Sequence, residues 1–184
     1  MMTRADMHAA LRRRLLGSRD AESGVWSGRL SSSALATARA VETLRTGGDA
    51  GDARLASRGA AWLDVHSNGD GGWGDTPESA SNVSATLIAA AALRGSAAES
   101  RERLAKAEQW IAAKVGGDPK PGAVAAAVKA VYGRDRTFAV PIMAFLAMAG
   151  GRDAAWRSVP SLPFALALLP QRLYRFLRLQ VVSY

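Results

Sequence analysis

The sequence predicts an all-α fold made of helical hairpins in series, and three observations carry that prediction. A segment recurs with a spacing of about 48 residues, glycine pairs and prolines cut the chain into alanine-rich stretches of helical length, and no stretch sustains period-two alternation. Trp62-Leu63-Asp64-Val65-His66-Ser67-Asn68-Gly69-Asp70 aligns without gaps on Trp110-Ile111-Ala112-Ala113-Lys114-Val115-Gly116-Gly117-Asp118. The later copy then has Pro119-Lys120-Pro121 in place of Gly71-Gly72-Trp73. With a short gap, Gly24-Val25-Trp26 through Leu44-Arg45 parallels Gly71-Gly72-Trp73 through Leu93-Arg94. A repeat of this length holds two helices, and each pair buries its apolar side only against its neighbours. The expectation is an α/α toroid or solenoid.

Taken in order, Ala5 to Leu16 reads as a helix closed by Gly17, and Glu22 to Leu30 as a loop holding Trp26. Ser31-Ser32-Ser33 offers N-cap hydroxyls for a helix through Arg45, ended by Gly47-Gly48. Asp52 to Val65 makes the next helix. Ser79 or Ser81 is expected to cap a helix through Arg94, and Ser96 with Glu99 to form a capping box for one reaching Lys114. Pro121-Gly122 leads into Ala123 to Tyr132, and Pro141 sits in the first turns of an apolar helix reaching Ala149. The expected organisation is an N-terminal helix over 1–21, helical repeats over 22–151, and a connecting segment over 152–184 that starts the next helix.

The stretch Asn68-Gly69-Asp70-Gly71-Gly72-Trp73-Gly74-Asp75-Thr76 stands apart. Four glycines around one tryptophan describe a tight turn with positive φ values and an indole pinned beside it. Asp70 and Asp75 flank the turn and read as turn or capping groups. Trp62 to His66 followed by Gly69-Asp70-Gly71-Gly72-Trp73 resembles the Gln-Trp repeat of the squalene/hopene cyclases and related terpene cyclases, with His66 where that family usually has Gln. A second stretch is similar to the same family: Tyr132-Gly133-Arg134-Asp135-Arg136-Thr137-Phe138, then Trp156-Arg157-Ser158-Val159-Pro160-x-Leu162-Pro163, Pro170 and Tyr174-x-Phe176. The resemblance covers roughly Glu22 to Tyr184.

The resemblance implies an isomerase or lyase of triterpenoid or hopanoid biosynthesis, associated with membranes because its substrate, an apolar polyprene such as squalene, dissolves in lipid. It implies a structural motif of Trp62, His66, Asp70, Gly71, Trp73 and Trp110, and a substrate cavity approached by Phe176 and Leu179. Leu179 falls where hopene cyclases carry a cation-stabilising aromatic, so the product is expected to differ from the hopene pattern. The general acid of the family is the central Asp of an Asp-x-Asp-Asp motif, and the sequence contains none. It also lacks an Asp-Asp-x-x-Asp cluster for a magnesium–diphosphate route, so no metal and no cofactor is expected. The reading is the N-terminal part of such a cyclase, without the catalytic acid and inactive alone. The alternative is a self-standing helical-repeat module that binds a lipid or a partner protein; a third reading has the other half supplied in trans.

Composition narrows the classes. An apolar share of 48% in 184 residues supports a real core. Zero cysteines exclude disulfides and thiolate chemistry and fit a cytoplasmic setting, while His8 and His66 lack metal-site spacing. The net charge of +8 comes mostly from arginine, without a basic run interleaved with aromatics that would point to nucleic acid. Met1 to Arg14 is Arg-rich and lacks the apolar core of a secretory signal, so a surface helix is expected. Arg172, Arg175 and Arg178 share one side of a C-terminal helix with Leu173, Phe176, Leu177 and Leu179 around the rest. Such a helix lies on a membrane surface or packs with its arginines toward water, and the second is expected. The last residues, Val181-Val182-Ser183-Tyr184, fall in an apolar helix without a cap, as in a truncated chain.

Overall fold

The computed structural model describes residues 3–28, 30–96, 100–133, 136–150, 153–159 and 168–176. Among them are nine helices and no strand: α1 (Arg4–Gly17), α2 (Ala34–Gly47), α3 (Ala50–Val65), α4 (Val83–Arg94), α5 (Arg101–Val115), α6 (Pro121–Tyr132), α7 (Arg136–Gly150), α8 (Asp153–Trp156) and α9 (Gln171–Phe176). The all-α expectation holds. The chain divides into two compact units, Met1–Ser32 and Ser33–Tyr184.

In the first unit, α1 starts with a capping box. The Thr3 hydroxyl accepts from the Asp6 amide and the Asp6 carboxylate accepts from the Thr3 amide, satisfying two donors that a helix start leaves open. No residue of α1 is buried. Trp26 closes the other end, its indole N–H donating to the Leu15 carbonyl at 2.7 Å.

The second unit is organised around α4. Its sequence, Val-Ser-Ala-Thr-Leu-Ile-Ala-Ala-Ala-Ala-Leu-Arg, is apolar on all sides, and every residue from Ser84 to Leu93 is buried. A helix of that kind belongs inside a core. It packs against α2, α3, α5, α6 and α7. Small side chains at Ala85, Ala89, Ala90 and Ala92 let these neighbours approach, while Leu63, Trp73, Ile88 and Val128 fill the space between them. At the C-terminal end of α4, Arg45 of α2 donates to the Ala92 carbonyl and to Ser96 Oγ at 2.6 Å, and pairs with Glu42 at 2.8 Å. A guanidinium there opposes the negative end of the helix dipole.

Helix starts follow the sequence with two differences. Ser33 caps α2 and Gly48, at φ 76°, ends it. The cap of α4, however, is Asn82, whose Oδ1 accepts from the Ala85 amide at 2.9 Å. Ser81 and Ser79 are spent elsewhere, on Asp70 and on Thr76. The start of α5 follows Ser100, which makes no side-chain capping bond; Glu99, the expected partner of Ser96, lies outside the described residues.

One helical glycine fixes the α2–α3 distance. A Cβ on Gly59 would lie 2.6 Å from Cγ2 of Val41, which is only 1% exposed and has nowhere to move. Alanine is the better helix former by about 1 kcal/mol, but overpacking a buried contact costs about 1–3 kcal/mol. Gly59→Ala is therefore expected to destabilise the protein by up to about 2 kcal/mol in urea melts; a stabilised variant would show that α2 and α3 are not in tight contact.

Candidate functional site

The turn between α3 and α4 gathers polar side chains around a buried stretch of backbone. Gly71, Gly72, Trp73 and Gly74 are all buried, so their backbone groups need partners. The Trp73 amide donates to Thr86 Oγ1 at 3.0 Å, and the same hydroxyl donates to the Trp73 carbonyl at 3.3 Å. That carbonyl also accepts from the Asn82 amide at 2.9 Å. The Asn68 amide donates to the Gly72 carbonyl at 2.8 Å, and the Gly71 amide returns to the Asn68 carbonyl at 3.0 Å. Asn68 Nδ2 spans the loop to the Ser79 carbonyl and Ser81 Oγ, at 3.0 and 2.9 Å.

The glycines serve two purposes. Only Gly71, at φ 87°, takes the positive φ expected of this stretch, and a Cβ there would also meet Lys106 of α5. Gly72 and Gly74 are required by close approach: a Cβ on either would lie 2.7 Å from Cβ of Ser81 or the Ala80 carbonyl, respectively.

The indole of Trp73 is 1% exposed and donates to the Leu63 carbonyl at 3.0 Å. Leu63 lies in the last turn of α3, and its carbonyl receives the indole N–H beside a longer bond of 3.3 Å from the His66 amide. Trp26 does the same at the end of α1, through Leu15, and Gly24 before it has φ 68°. The two tryptophans thus share one geometry. A second geometry repeats 48 residues apart. His66 stacks on Trp62, centroids 4.1 Å apart and 14° between planes, with Nδ1 2.8 Å from the Trp62 carbonyl. Lys114 lies over Trp110 at 5.2 Å. In both copies the residue four positions on, one helical turn away, covers the aromatic face. His66 therefore partners Trp62, and Trp73 takes Leu63 and Thr86 instead.

Asp70 ties this hairpin to the next. Its carboxylate accepts from Ser81 Oγ at 2.7 Å, the Gly72 amide at 3.0 Å and Trp110 Nε1 of α5 at 2.9 Å. Desolvation pushes its pKa up, and the bonds from Ser81, Gly72 and Trp110 together outweigh it, leaving the carboxyl below its ordinary 3.8. Asp75 accepts from Asn82 Nδ2 at 3.0 Å. Both aspartates act as turn groups.

Two hollows adjoin this framework. One, of about 710 Å³, runs along the small residues Ala53, Ala56, Ser57 and Ala60 of α3, with Arg45 and Asp64 at its edge. The other, of about 540 Å³, is lined by Leu87, Ile111, Val124, Met143 and Leu146 from α4, α5, α6 and α7, with Arg94 and Glu108 paired at its rim. Phe176 lines neither; it is 82% exposed on α9. Leu179 lies outside the described residues. No group of three or more His, Cys, Asp or Glu that could hold a metal occurs among the described residues. Sequence reasoning missed Thr86, whose hydroxyl in an otherwise Ala- and Leu-rich helix was the available signal, and Arg45, a cation in a last helical turn.

Helices joined by tight turns, two of which set an indole N–H on the preceding helix, define a helical-hairpin scaffold with a hollow between α4, α5, α6 and α7. A family model described as the squalene-hopene cyclase N-terminal domain matches residues 9–184, and the chain belongs to that family. No curated protein and no solved structure matches the chain.

Two outcomes follow from the turn. Trp73→Ala should lower unfolding free energy by about 3–5 kcal/mol. Trp73→Phe, which keeps most of the bulk and loses the bond to Leu63, should lower it by about 1–2 kcal/mol. A Trp73→Phe variant as stable as the wild type in urea melts would mean that the indole N–H contributes nothing. Because the folded pKa of Asp70 lies below the unfolded one, its contribution is full above the unfolded value and is lost as pH falls through the folded value. The stability difference between wild type and Asp70→Asn should accordingly be constant at neutral pH and shrink on acidification below 3.8; a difference that grows on acidification would contradict the assignment.

Proposed function

We propose that the chain is the N-terminal part of a class II terpene cyclase of the squalene/hopene type, an enzyme that protonates a linear polyprene and closes it into rings in triterpenoid biosynthesis. The family match over residues 9–184 carries this reading. In it, these residues supply scaffold and cavity wall, and the general acid comes from residues outside them, since the sequence holds no Asp-x-Asp-Asp. The hollow between α4, α5, α6 and α7 is lined by Leu87, Ile111, Met143 and Leu146 together with Glu42, Arg94, Glu108 and Asp118, and its apolar part supports a hydrocarbon ligand through dispersion and desolvation.

The same hollow favours a second reading, a helical-repeat module that holds an apolar lipid without transforming it. The mass of the native protein, captured from its source with an antibody to residues 68–79, separates the two. A mass several times 19.3 kDa supports the cyclase, and a mass of 19.3 kDa the module. The purified 184 residues, incubated with squalene, are expected to give no cyclic product by gas chromatography and mass spectrometry. A cyclic product would overturn the placement of the acid elsewhere.

A further inference from the structure

Of the four glycines in the turn after α3, Gly69 is the one whose missing Cβ the fold does not use. Gly71 takes a positive φ, and Gly72 and Gly74 lie against Ser81 and Ser79. A Cβ on Gly69 would meet nothing within 4 Å, and the residue is exposed. Among the described residues its amide has no hydrogen-bond partner. Asn68, the residue before it, is bonded through its amide, its carbonyl and its side chain, to Gly72, to Gly71, and to Ser79 and Ser81.

A free backbone amide next to a carboxamide sets a nucleophile beside an electrophile. Once base has removed its proton, the Gly69 nitrogen adds to Cγ of Asn68 and closes a succinimide ring, and Nδ2 leaves as ammonia. Water then opens the ring to an aspartate or an isoaspartate, so nothing is oxidised or reduced. Glycine puts the least bulk in the way of such a ring. The other asparagine of the chain, Asn82, precedes β-branched Val83, and both ends of its carboxamide are bonded, to the Ala85 amide and to Asp75.

We propose that Asn68–Gly69 is a spontaneous modification site, a deamidation that the closed turn holds back and that, once it has occurred, keeps the turn from closing again. The site is independent of the cyclase reading. Loss of Nδ2 breaks its bonds to the Ser79 carbonyl and to Ser81 Oγ, at 3.0 and 2.9 Å, so the closed turn opposes the step. The product carries a carboxylate where a donor stood. It faces the Ser79 carbonyl, which has no proton to offer, and Ser81 Oγ, whose proton goes to Asp70 at 2.7 Å. A second anion is thereby set beside the Asp70 carboxylate. An isoaspartate also lengthens the main chain inside a turn that the bonds from Asn68 to Gly72 and from Gly71 to Asn68 hold closed.

The test keeps the whole chain in mildly alkaline buffer, folded and in urea, and reads the amide-to-acid mass gain by peptide mass spectrometry and isoaspartate by enzymatic methylation. In urea, Asn68 is expected to convert while Asn82 stays intact. In the folded chain, conversion at Asn68 should be slower by about tenfold or more, the factor for a turn that opens at a cost of about 1.4 kcal/mol or more. Converted chains, separated by ion exchange, and the Asn68→Asp variant should both melt below the wild type. Gly69→Ala should melt no lower than the wild type and convert more slowly in urea. Conversion as fast in the folded chain as in urea, or none in urea, would overturn the proposal. So would converted chains or Asn68→Asp melting with the wild type, and so would a lowered melting temperature for Gly69→Ala, which would show that the fold needs that glycine.

Discussion

A stretch of irregular backbone buried inside a helical protein is the constraint on which the rest of this structure depends. Gly71 to Gly74 lie in the interior without a helix or strand to pair their amides and carbonyls, and each unpaired group there would cost as much as a lost hydrogen bond. The solution reaches into every neighbouring element. Thr86 is placed in the core helix α4 to pair with both backbone groups of Trp73. Asn82 holds the Trp73 carbonyl with its amide and starts α4 with its side chain. Gly71 has no Cβ because α5 passes against it. The entry angle of α4, its register and the position of α5 are thus set by one loop.

The hairpins and their punctuation were legible in the sequence because they rest on local chemistry. Ser33 and Gly48 bound α2 as cap and left-handed terminator, Pro121 opens α6 at a position where its missing N–H is harmless, and Gly116 ends α5. The cap of α4 was less legible. Ser79, Ser81 and Asn82 are all competent N-caps, and the choice falls on Asn82 because Ser81 is taken by Asp70, across the turn. The family resemblance was legible as well, in the motif around Trp73. Most partners in that motif were not: His66 over Trp62 follows from helical spacing, but that Trp73 reaches Leu63 and Thr86 and that Asp70 joins Trp110 are facts of tertiary approach. No spacing along the chain encodes a bond between residues forty positions apart.

What recurs along the chain is a bond pattern more than a set of residues. Trp26 and Trp73 each place an indole N–H on a leucine carbonyl in the last turn of the helix before them, and a glycine of positive φ precedes each. At Trp73 the indole is buried and also fills the corner between α3 and α4, two tasks that a turn of small polar residues would need several groups to perform. After α5 the indole is gone, and the corner is closed otherwise. Gly116 and Gly117 take positive φ, the Gly117 amide returns to the Ala112 carbonyl at 2.9 Å, and Pro121 presets the next helix. Loss of the tryptophan there is therefore compatible with the repeat, because the Ala112 carbonyl in the last turn of α5 receives backbone donors without it.

The electrostatics of the carboxyl groups bear on catalysis. An acid that protonates an alkene must hold its proton until the substrate is in place, which requires surroundings that favour the neutral form. Four carboxyls here are arranged for the opposite. Asp6, Asp20 and Glu102 are pulled down by hydrogen bonds from Thr3, Ser23 and Lys106, and Asp70 is pulled down by its donors against its own desolvation. Each is a tie that works as an anion: Asp6 at a helix start, Asp20 in a turn, Glu102 along a helix, Asp70 between two hairpins. Converting Asp70 into an acid would mean removing the three donors that hold Trp110 and the Gly72 turn in place. The geometry that makes this region a rigid wall is the same geometry that keeps its best-placed carboxylate from donating a proton, so in the proposed cyclase the wall and the acid have to come from different stretches of chain.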